Sequence, residues 1–180
     1  MADRAPNPYE FLPEKPSFEL TSDDVSAEAT MPEAHIFDGF GLTGGNTSPH
    51  LRWSGAPEGT AGYVVSVFDP DAPTGSGFWH WVVVNLPADV NELPTGAGSG
   101  DAALPGSGAF HVRSDYGTHG YGGPAPLAGL KRHRYIFTVH ALDAPLEVTP
   151  DVSAAVIGFN LYFHTLARAQ FVTEYEIPET

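Results

Sequence analysis

Cysteine is absent from this chain of 180 residues, and its absence excludes three kinds of chemistry. Without thiols there is no disulfide framework, no thiolate nucleophile and no zinc–thiolate site. Long apolar runs are also lacking, since none approaches the ~18 residues that cross a bilayer. The N-terminus has no basic segment followed by an apolar one, the order typical of an export signal. We therefore expect a cytoplasmic protein with no stable membrane insertion.

Basic side chains are scarce as well. The chain has 8 Lys and Arg against 22 Asp and Glu, which gives a formal net charge of −14. Phosphate backbones and anionic membrane surfaces are bound through Lys and Arg. The composition therefore argues against a nucleic-acid partner and against docking on an anionic membrane. An acidic balance also favours solubility, and it says nothing about the fold.

Glycine and proline, in contrast, are abundant, with 20 and 17 residues. Because both residues favour turns, their number indicates a turn-rich and mainly β chain. The length is typical of one domain with a sizeable core. We predict an extended N-terminal arm over residues 1–16 and a single domain over residues 17–180.

Three apolar stretches rich in Val, Phe and Trp predict buried strands: Tyr63–Asp69, Phe78–Asn85 and His133–Leu142. Asp69 ends the first of these and His80 begins the second. A period of two places His133 and Tyr135 at the head of an otherwise apolar row on the third. Buried polar groups are costly unless they satisfy one another or a ligand, so the strand ends predict a site. The plainer alternative is a hydrogen-bonded turn that closes a hairpin.

The C-terminal part predicts one helix and a returning strand. Thr149–Asp151 has the hydroxyl, proline and acid of a helix start. Apolar residues then recur at helical spacing as far as Leu166, and this aromatic stripe favours core packing or a subunit contact over a cofactor site. Gln170–Tyr175 is the candidate strand. Gly39–Gly44 matches a dinucleotide-binding pattern by letter, but the residues that follow cannot open a helix, so we predict a loop.

Four motifs taken in order resemble those of the phosphatidylethanolamine-binding protein family, particularly its bacterial and archaeal branch, often called Raf-kinase-inhibitor-like: Asp69–Pro73, His80–Asn85, Gly122–Pro126 and His133–Tyr135. Ser48–Gly55 and Gly158–Leu161 are also similar to that branch. The resemblance covers roughly Phe18 to Tyr175.

This resemblance implies a Greek-key β-sandwich with a few peripheral helices and a small anion pocket at one end. The pocket would bind a phosphate-type anion, such as a phospholipid or phosphoethanolamine headgroup, with no cofactor and no metal. Its ligand-binding residues would be Asp69, His80, His133 and Tyr135, and its walls Ala72, Pro73, Gly123 and Pro124. The resemblance further implies a cis peptide at Ala72–Pro73. Members of this branch are often homodimers, so a homodimer is one expected assembly.

The sequence departs from the branch at three positions near the pocket. Many members have cysteine where this chain has Ala125, asparagine at Ser114 and proline at His50. The C-terminus does not match the helix with which eukaryotic members select partners. A regulatory role as inhibitor of a kinase or protease fits the family, but no individual partner is carried over.

The residues suggest a mechanism for binding an anion to an acidic protein. Histidines, with ordinary pKa values near ~6.5, would donate hydrogen bonds and offset charge once protonated. Asp69 would fix one imidazole tautomer, Asp71 would tie down its own loop, and glycine-loop N–H groups would add donors.

Besides anion binding, the sequence allows a second and a third hypothesis, an enzyme and a protein-interaction surface. Two histidines and a carboxylate could form a facial metal triad or an acid–base pair for phosphoester hydrolysis. The third hypothesis is a protein-interaction surface built on Tyr116, His119 and Tyr121, for which ordinary loop packing is the simpler explanation.

Overall fold

Two antiparallel β-sheets face each other in the computed structural model, which describes residues 4–179. The eight strands, in chain order, are β1 (Glu19–Thr21), β2 (Leu51–Ser54), β3 (Gly62–Asp69), β4 (Phe78–Pro87), β5 (Glu92–Leu93), β6 (Phe110–His111), β7 (His133–Leu142) and β8 (Thr165–Tyr175). The smaller sheet has the order β1-β2-β5 and the larger one β6-β4-β3-β7-β8. Helix α1 spans Ala154–His164, and 3-10 turns lie at Pro8–Phe11 and Glu33–His35. The predicted mainly β fold is confirmed.

The core lies between the two sheets and explains why the long strands carry so many β-branched and aromatic residues. Trp53 and Leu93 of the small sheet pack in one cluster with Val65, Val67 and Phe137 of the large sheet. All eight residues of β3 are buried, because β4 and β7 flank this strand and both of its faces are covered. The central position of β3 places its end, Asp69, deep between its neighbours.

The outer face of the large sheet is covered by α1. Ala154, Ile157 and Leu161 recur on one side of the helix and pack on the sheet residues Val64 and Val82. The helix begins later than predicted, at Ala154, with the Ser153 hydroxyl accepting a hydrogen bond from the Val156 N–H. Thr149–Asp151 belongs instead to a turn in which the Val152 N–H donates to the Thr149 carbonyl, so the predicted helix start was wrong.

The aromatic stripe of α1 lies on the side away from the sheet. Phe159, Tyr162 and Phe163 are 68%, 55% and 61% exposed. Leu166, the predicted end of the stripe, lies in β8 rather than in the helix. The core interpretation was therefore wrong, and the subunit contact stays a prediction.

The described part of the N-terminal arm, residues 4–16, is held along β8. Arg168 donates from its backbone N–H to the Pro16 carbonyl at 3.0 Å and from its guanidinium to the Pro13 carbonyl at 2.7 Å. The Asn7 side chain caps the Pro8–Phe11 turn by accepting from the Tyr9 N–H. Residues 1–3 of the predicted arm, and Thr180 of the predicted domain, lie outside the described residues.

Within residues 4–179, no helix is long and apolar enough to cross a membrane. The predicted strand at Gln170–Tyr175 lies within β8.

Candidate functional site: a histidine-lined pocket at the strand ends

The site begins where β3, β4 and β7 lie side by side. Asp69 pairs with Phe78 at the end of β3, and Phe68 pairs with Ile136 on the other side, which places His133 close to Asp69. On β4, Trp79 faces Phe68 and Trp81 faces Val67, so His80 is the extra residue of a β-bulge. A bulge redirects a side chain relative to regular alternation, and bulges are frequent beside functional sites.

A cavity of about 220 Å³ opens at these strand ends. Its lining includes five of the predicted site residues, namely Asp69, Ala72, Pro73, His80 and His133. Three others do not line it: Tyr135, Gly123 and Pro124. The structure therefore brings the acid and both histidines to one hollow.

Asp69 holds two parts of the site together. Its Oδ2 accepts a hydrogen bond from His133 Nδ1 at 2.7 Å, and both side chains are buried. Its Oδ1 accepts from the backbone N–H groups of Asp71 at 2.7 Å and Ala72 at 3.0 Å. Because the carboxylate only accepts, the proton of neutral His133 lies on Nδ1, and its Nε2 carries a lone pair.

His80 is fixed in the same tautomer by a different acceptor. Its Nδ1 lies 2.8 Å from the Gly122 carbonyl, which can only accept. Burial lowers the pKa of His80, while the charge of Asp69 and the carbonyls of Gly122 and Gly123 oppose that shift. His80 is therefore neutral at neutral pH when the pocket is empty, and its Nε2 is an acceptor until the ring is protonated.

Tyr135 lies directly behind His80, with ring centroids 5.1 Å apart. The side chain is fully buried, and burial followed by the charge of Asp69 raises the pKa of its hydroxyl well above the usual range. The hydroxyl is therefore a neutral donor.

Three buried polar atoms at this site have no hydrogen-bond partner within residues 4–179: His80 Nε2, His133 Nε2 and the Tyr135 hydroxyl. An unsatisfied buried polar group costs about 1–3 kcal/mol, so such groups are rare in native proteins. Two of them, the histidine Nε2 atoms, belong to rings that line the cavity, which indicates a place where a polar ligand would supply the missing bonds.

Asp71 anchors its loop through a different partner from the one expected. It receives hydrogen bonds from the Arg134 backbone N–H at 3.0 Å and from the guanidinium at 2.8 and 2.9 Å. Burial raises the pKa of Asp71, but these bonds and the charges of Arg134 and Lys131 outweigh it, and the net shift is downward. Asp71 thus ties its loop to β7, whereas the loop's own N–H groups are bound by Asp69.

The glycine loop also differs from the prediction, because its N–H groups point away from the cavity. The Gly122 N–H donates to the His80 carbonyl and the Gly123 N–H donates to Asn46 Oδ1. A side chain at Gly123 would collide with the backbone at His35–Phe37, so glycine here serves close packing. The next two residues, Ala125 and Pro126, form the wall instead of Gly123 and Pro124.

The Ala72–Pro73 peptide is trans, since residues 4–179 contain no cis peptide bond. The implied cis bond was therefore wrong. The Thr74 N–H donates to the Ala72 carbonyl at 2.7 Å, and this turn reverses the chain without a cis bond.

Apolar residues of the pocket were missed from the sequence. Phe40 and Leu127 line the cavity although they are 83% and 63% exposed, and Tyr116 and Phe78 contact the His80 ring. Ala125, where the sequence departs from the family pattern, also lines it. Large apolar residues in glycine-rich loops are the signal that could have identified Phe40 and Leu127.

The geometry does not match a facial metal triad. Both oxygens of Asp69 are already bound by N–H donors, and among residues 4–179 no group of three His, Asp or Glu side chains is placed to hold a metal ion.

The predicted interaction aromatics are mostly not exposed. Tyr121 is buried, with its hydroxyl donating to the His35 carbonyl at 2.7 Å, and the Tyr116 hydroxyl donates to the Gly123 carbonyl at 2.8 Å. His119 is exposed.

Comparison with known proteins identifies close relatives over nearly the whole chain. The sequence profile described as "Phosphatidylethanolamine-binding protein" matches residues 21–176. Among curated proteins of Escherichia coli, the UPF0098 protein YbhB is 53% identical over 151 residues, covering 83% of this chain and 94% of its own length. The UPF0098 protein YbcL is 45% identical over 168 residues, covering 93% and 92%. The crystal structure of E. coli YbcL, described as a new member of the mammalian PEBP family, superposes with a TM-score of 0.86 at 46% identity, covering 89% of this chain and 99% of that one.

Proposed function

Because the chain belongs to the phosphatidylethanolamine-binding protein family, we propose that its strand-end pocket binds a small phosphate-type anion, the headgroup of a phospholipid or of another phosphorylated molecule. Family membership supports a ligand-binding or regulatory role in general. The observation that carries the finer proposal is a pair of buried Nε2 atoms, those of His80 and His133, which have no partner among the described residues and belong to rings that line one cavity.

Protonation of the histidines is the central step of binding. Both Nδ1 atoms already donate to fixed acceptors, Asp69 and the Gly122 carbonyl. Each Nε2 therefore becomes a donor only when its ring takes up a proton. An anion in the cavity stabilises the protonated rings, so binding is coupled to proton uptake and strengthens as pH falls.

The apolar rim supports an amphiphilic ligand over a free phosphate ion. Phe40 and Leu127 stand exposed at the cavity, where they would contact the carbon atoms next to a bound headgroup. Covering exposed apolar surface of this kind is favourable. A phospholipid headgroup with part of its glycerol would meet both the rim and the histidines.

Titration calorimetry with phosphoethanolamine from pH 5 to pH 8 tests the proposal. We expect weak binding that tightens toward pH 5 and falls at least tenfold in His133→Ala and in His80→Ala. His119→Ala is the matched control, because His119 is exposed and its ring contacts the Pro150 carbonyl rather than the cavity. Equal affinity in all four proteins would contradict the proposal.

Repeating the titration in two buffers of different ionisation enthalpy counts the protons taken up. Proton coupling predicts net uptake at neutral pH; binding with proton release would contradict the role of Nε2 as a donor. Inorganic phosphate and a short-chain phosphatidylethanolamine, compared at one pH, separate the two sources of the phosphate group. The Phe40 and Leu127 rim predicts tighter binding of the lipid.

A further inference from the structure

A second cavity lies on the opposite, outer face of the large sheet. It measures about 330 Å³ and is lined by the N-terminal arm, the sheet and α1. Its apolar walls come from all three, with Tyr9 and Leu12 of the arm, Phe68 and Trp79 of the sheet, and Leu161 and Tyr162 of the helix.

The charged side chains that line this cavity all have one sign. Lys15 and Arg168 line it, and within the described chain no Asp or Glu does. In a protein with only 8 Lys and Arg against 22 acids, that is a marked local excess of positive charge. Neither cation forms an ion pair with a carboxylate of residues 4–179, whereas Arg4, Arg52 and Arg134 do.

Arg168 is held in place without being neutralised. Its guanidinium lies 5.4 Å from the centre of the Tyr9 ring and donates one hydrogen bond to the Pro13 carbonyl at 2.7 Å. Burial lowers the pKa of Arg168, which reflects a charge partly removed from water. An anion beside it would offset that cost.

A buried histidine adds an unsatisfied polar atom at the same place. His140 lines the cavity, is 3% exposed, and its Nδ1 lies 3.2 Å from Thr165 Oγ1. Its Nε2 has no hydrogen-bond partner among residues 4–179. When the Thr165 hydroxyl donates to Nδ1, the neutral ring carries its proton on Nε2 and can donate to an oxygen.

We propose that this outer cavity is a second ligand site, which takes an apolar molecule with a single carboxylate, such as a medium-chain fatty acid. The chain would lie between Leu12, Trp79 and Leu161, with the carboxylate toward Arg168 and His140. A cavity of about 330 Å³ is at the lower end of the ~300–1,000 Å³ usual for ligand pockets, so one short chain fits better than a two-chain lipid. The proposal does not depend on the function proposed for the strand-end pocket.

Decanoate below its micellar concentration is the probe, followed by calorimetry and by tryptophan fluorescence, to which Trp79 of the cavity wall contributes beside Trp53 and Trp81. Gly158→Leu should fill the cavity from the helix side: Gly158 lines it, and a Cβ there has no atom of the described residues within 4 Å. We expect at least a tenfold loss of decanoate affinity. Ala155→Leu is the matched control, because Ala155 is exposed on the same helix and does not line the cavity. Unchanged affinity in Gly158→Leu, checked as folded by circular dichroism, would overturn the proposal.

The carboxylate is tested by comparing decanoate with decanol. Wild type should prefer decanoate at least tenfold; Arg168→Gln should lose most of that preference, and Arg168→Lys should keep it. Equal binding of decanol and decanoate by the wild type would overturn the role of the cations. Saturating phosphoethanolamine should leave decanoate binding unchanged, whereas competition would place decanoate in the strand-end pocket and overturn the second site.

Discussion

The two cavities use histidines of the same strand in opposite electrostatic settings. On the inner face of β7, His133 donates to the carboxylate of Asp69. On the outer face, His140 lies near the Arg168 guanidinium, and both burial and that charge lower its pKa to about 3. The comparison shows that burial, together with the charge of Arg168, keeps His140 neutral, whereas the Nδ1 atom of His133 on the same strand has a carboxylate as its hydrogen-bond partner.

The difference also separates the ligands that each cavity suits. The strand-end pocket has a carboxylate beside its histidines, so its positive charge must come from protons taken up with the ligand. The outer cavity has permanent cations, Lys15 and Arg168, so an anion needs no proton there. Binding should depend strongly on pH in the first cavity and weakly in the second.

The largest expected effect on stability comes from removing the carboxylate of Asp69 in the strand-end pocket. Asp69→Ala deletes the acceptor of His133 Nδ1 and of the Asp71 and Ala72 N–H groups. A buried donor left without an acceptor costs about 1–3 kcal/mol, and three donors lose theirs, so we expect the free energy of unfolding to fall by at least ~3 kcal/mol in urea denaturation.

Asp143→Ala is the control for that loss. Asp143 pairs with His164 at 2.8 Å, close to the 2.7 Å between Asp69 and His133, but the side chains of Asp143 and His164 are 48% and 37% exposed. An exposed pair is worth roughly 0–1 kcal/mol. Similar losses in the two variants would contradict the view that burial makes Asp69 central.

The second expected effect is acid destabilisation through His140. In the unfolded chain His140 takes up a proton near pH 6.5, whereas burial and the charge of Arg168 lower its pKa in the folded protein to about 3. The stability that neutral His140 contributes is therefore fully present above pH 6.5 and is lost as the pH falls from 6.5 toward 3. At ~1.4 kcal/mol per pH unit for one proton, His140 accounts for about 2 kcal/mol of the loss between pH 6.5 and pH 5.

In His140→Gln the difference in unfolding free energy between pH 7 and pH 5 should shrink by that amount in urea denaturation. Phe159→Gln, on the exposed side of α1, removes no titratable group and should keep the wild-type difference. An unchanged difference in His140→Gln would contradict a neutral, buried His140.

A pair of tyrosines gives the third and smaller effect. Tyr116→Phe removes the hydrogen bond to the Gly123 carbonyl and should cost about 1 kcal/mol of stability with little change in anion affinity. Tyr135→Phe removes a buried hydroxyl with no partner in residues 4–179, so stability should stay equal or rise by up to ~1 kcal/mol. If that hydroxyl donates to the ligand, phosphoethanolamine affinity should fall about 3–10-fold, the worth of one hydrogen bond.

Urea denaturation and calorimetry on both variants check this pair. A stability loss in Tyr135→Phe with unchanged affinity would remove Tyr135 from the proposed site.

Sequence reasoning predicted the strands of the strand-end pocket better than the bonds within it. The period of two along the strand identifies which residues share a face of β7, and the long apolar runs identify β3 and β4 as buried strands. Register is set by pairing across strands, so the bulge at His80 had no local signal. The partner of a polar group depends on the folded arrangement of the strands, so the pattern along the chain did not show that Asp71 holds its loop through Arg134 of β7.

The outer cavity could not be predicted because no stretch of sequence contains it. Its walls come from the arm, the sheet and the helix, which are far apart in the chain. Arg168 alternates with the buried residues Ala167 and Ala169 on an ordinary-looking strand. Only the arm folded over β8 turns that position into the lining of a cavity.

The smallest expected effect compares a glycine at each cavity. Gly158 lies within α1, where glycine is about 0.5–1 kcal/mol less favourable than alanine, and an added Cβ has no neighbour within 4 Å in the described chain. Gly158→Ala should therefore raise the free energy of unfolding by about 0.5–1 kcal/mol. Gly123→Ala should lower it, because the Cβ would collide with the backbone at His35–Phe37. Opposite signs in urea denaturation would show that the outer cavity has free space at its helix wall, whereas the wall behind the strand-end pocket is fully packed; a loss in both variants would refute that distinction.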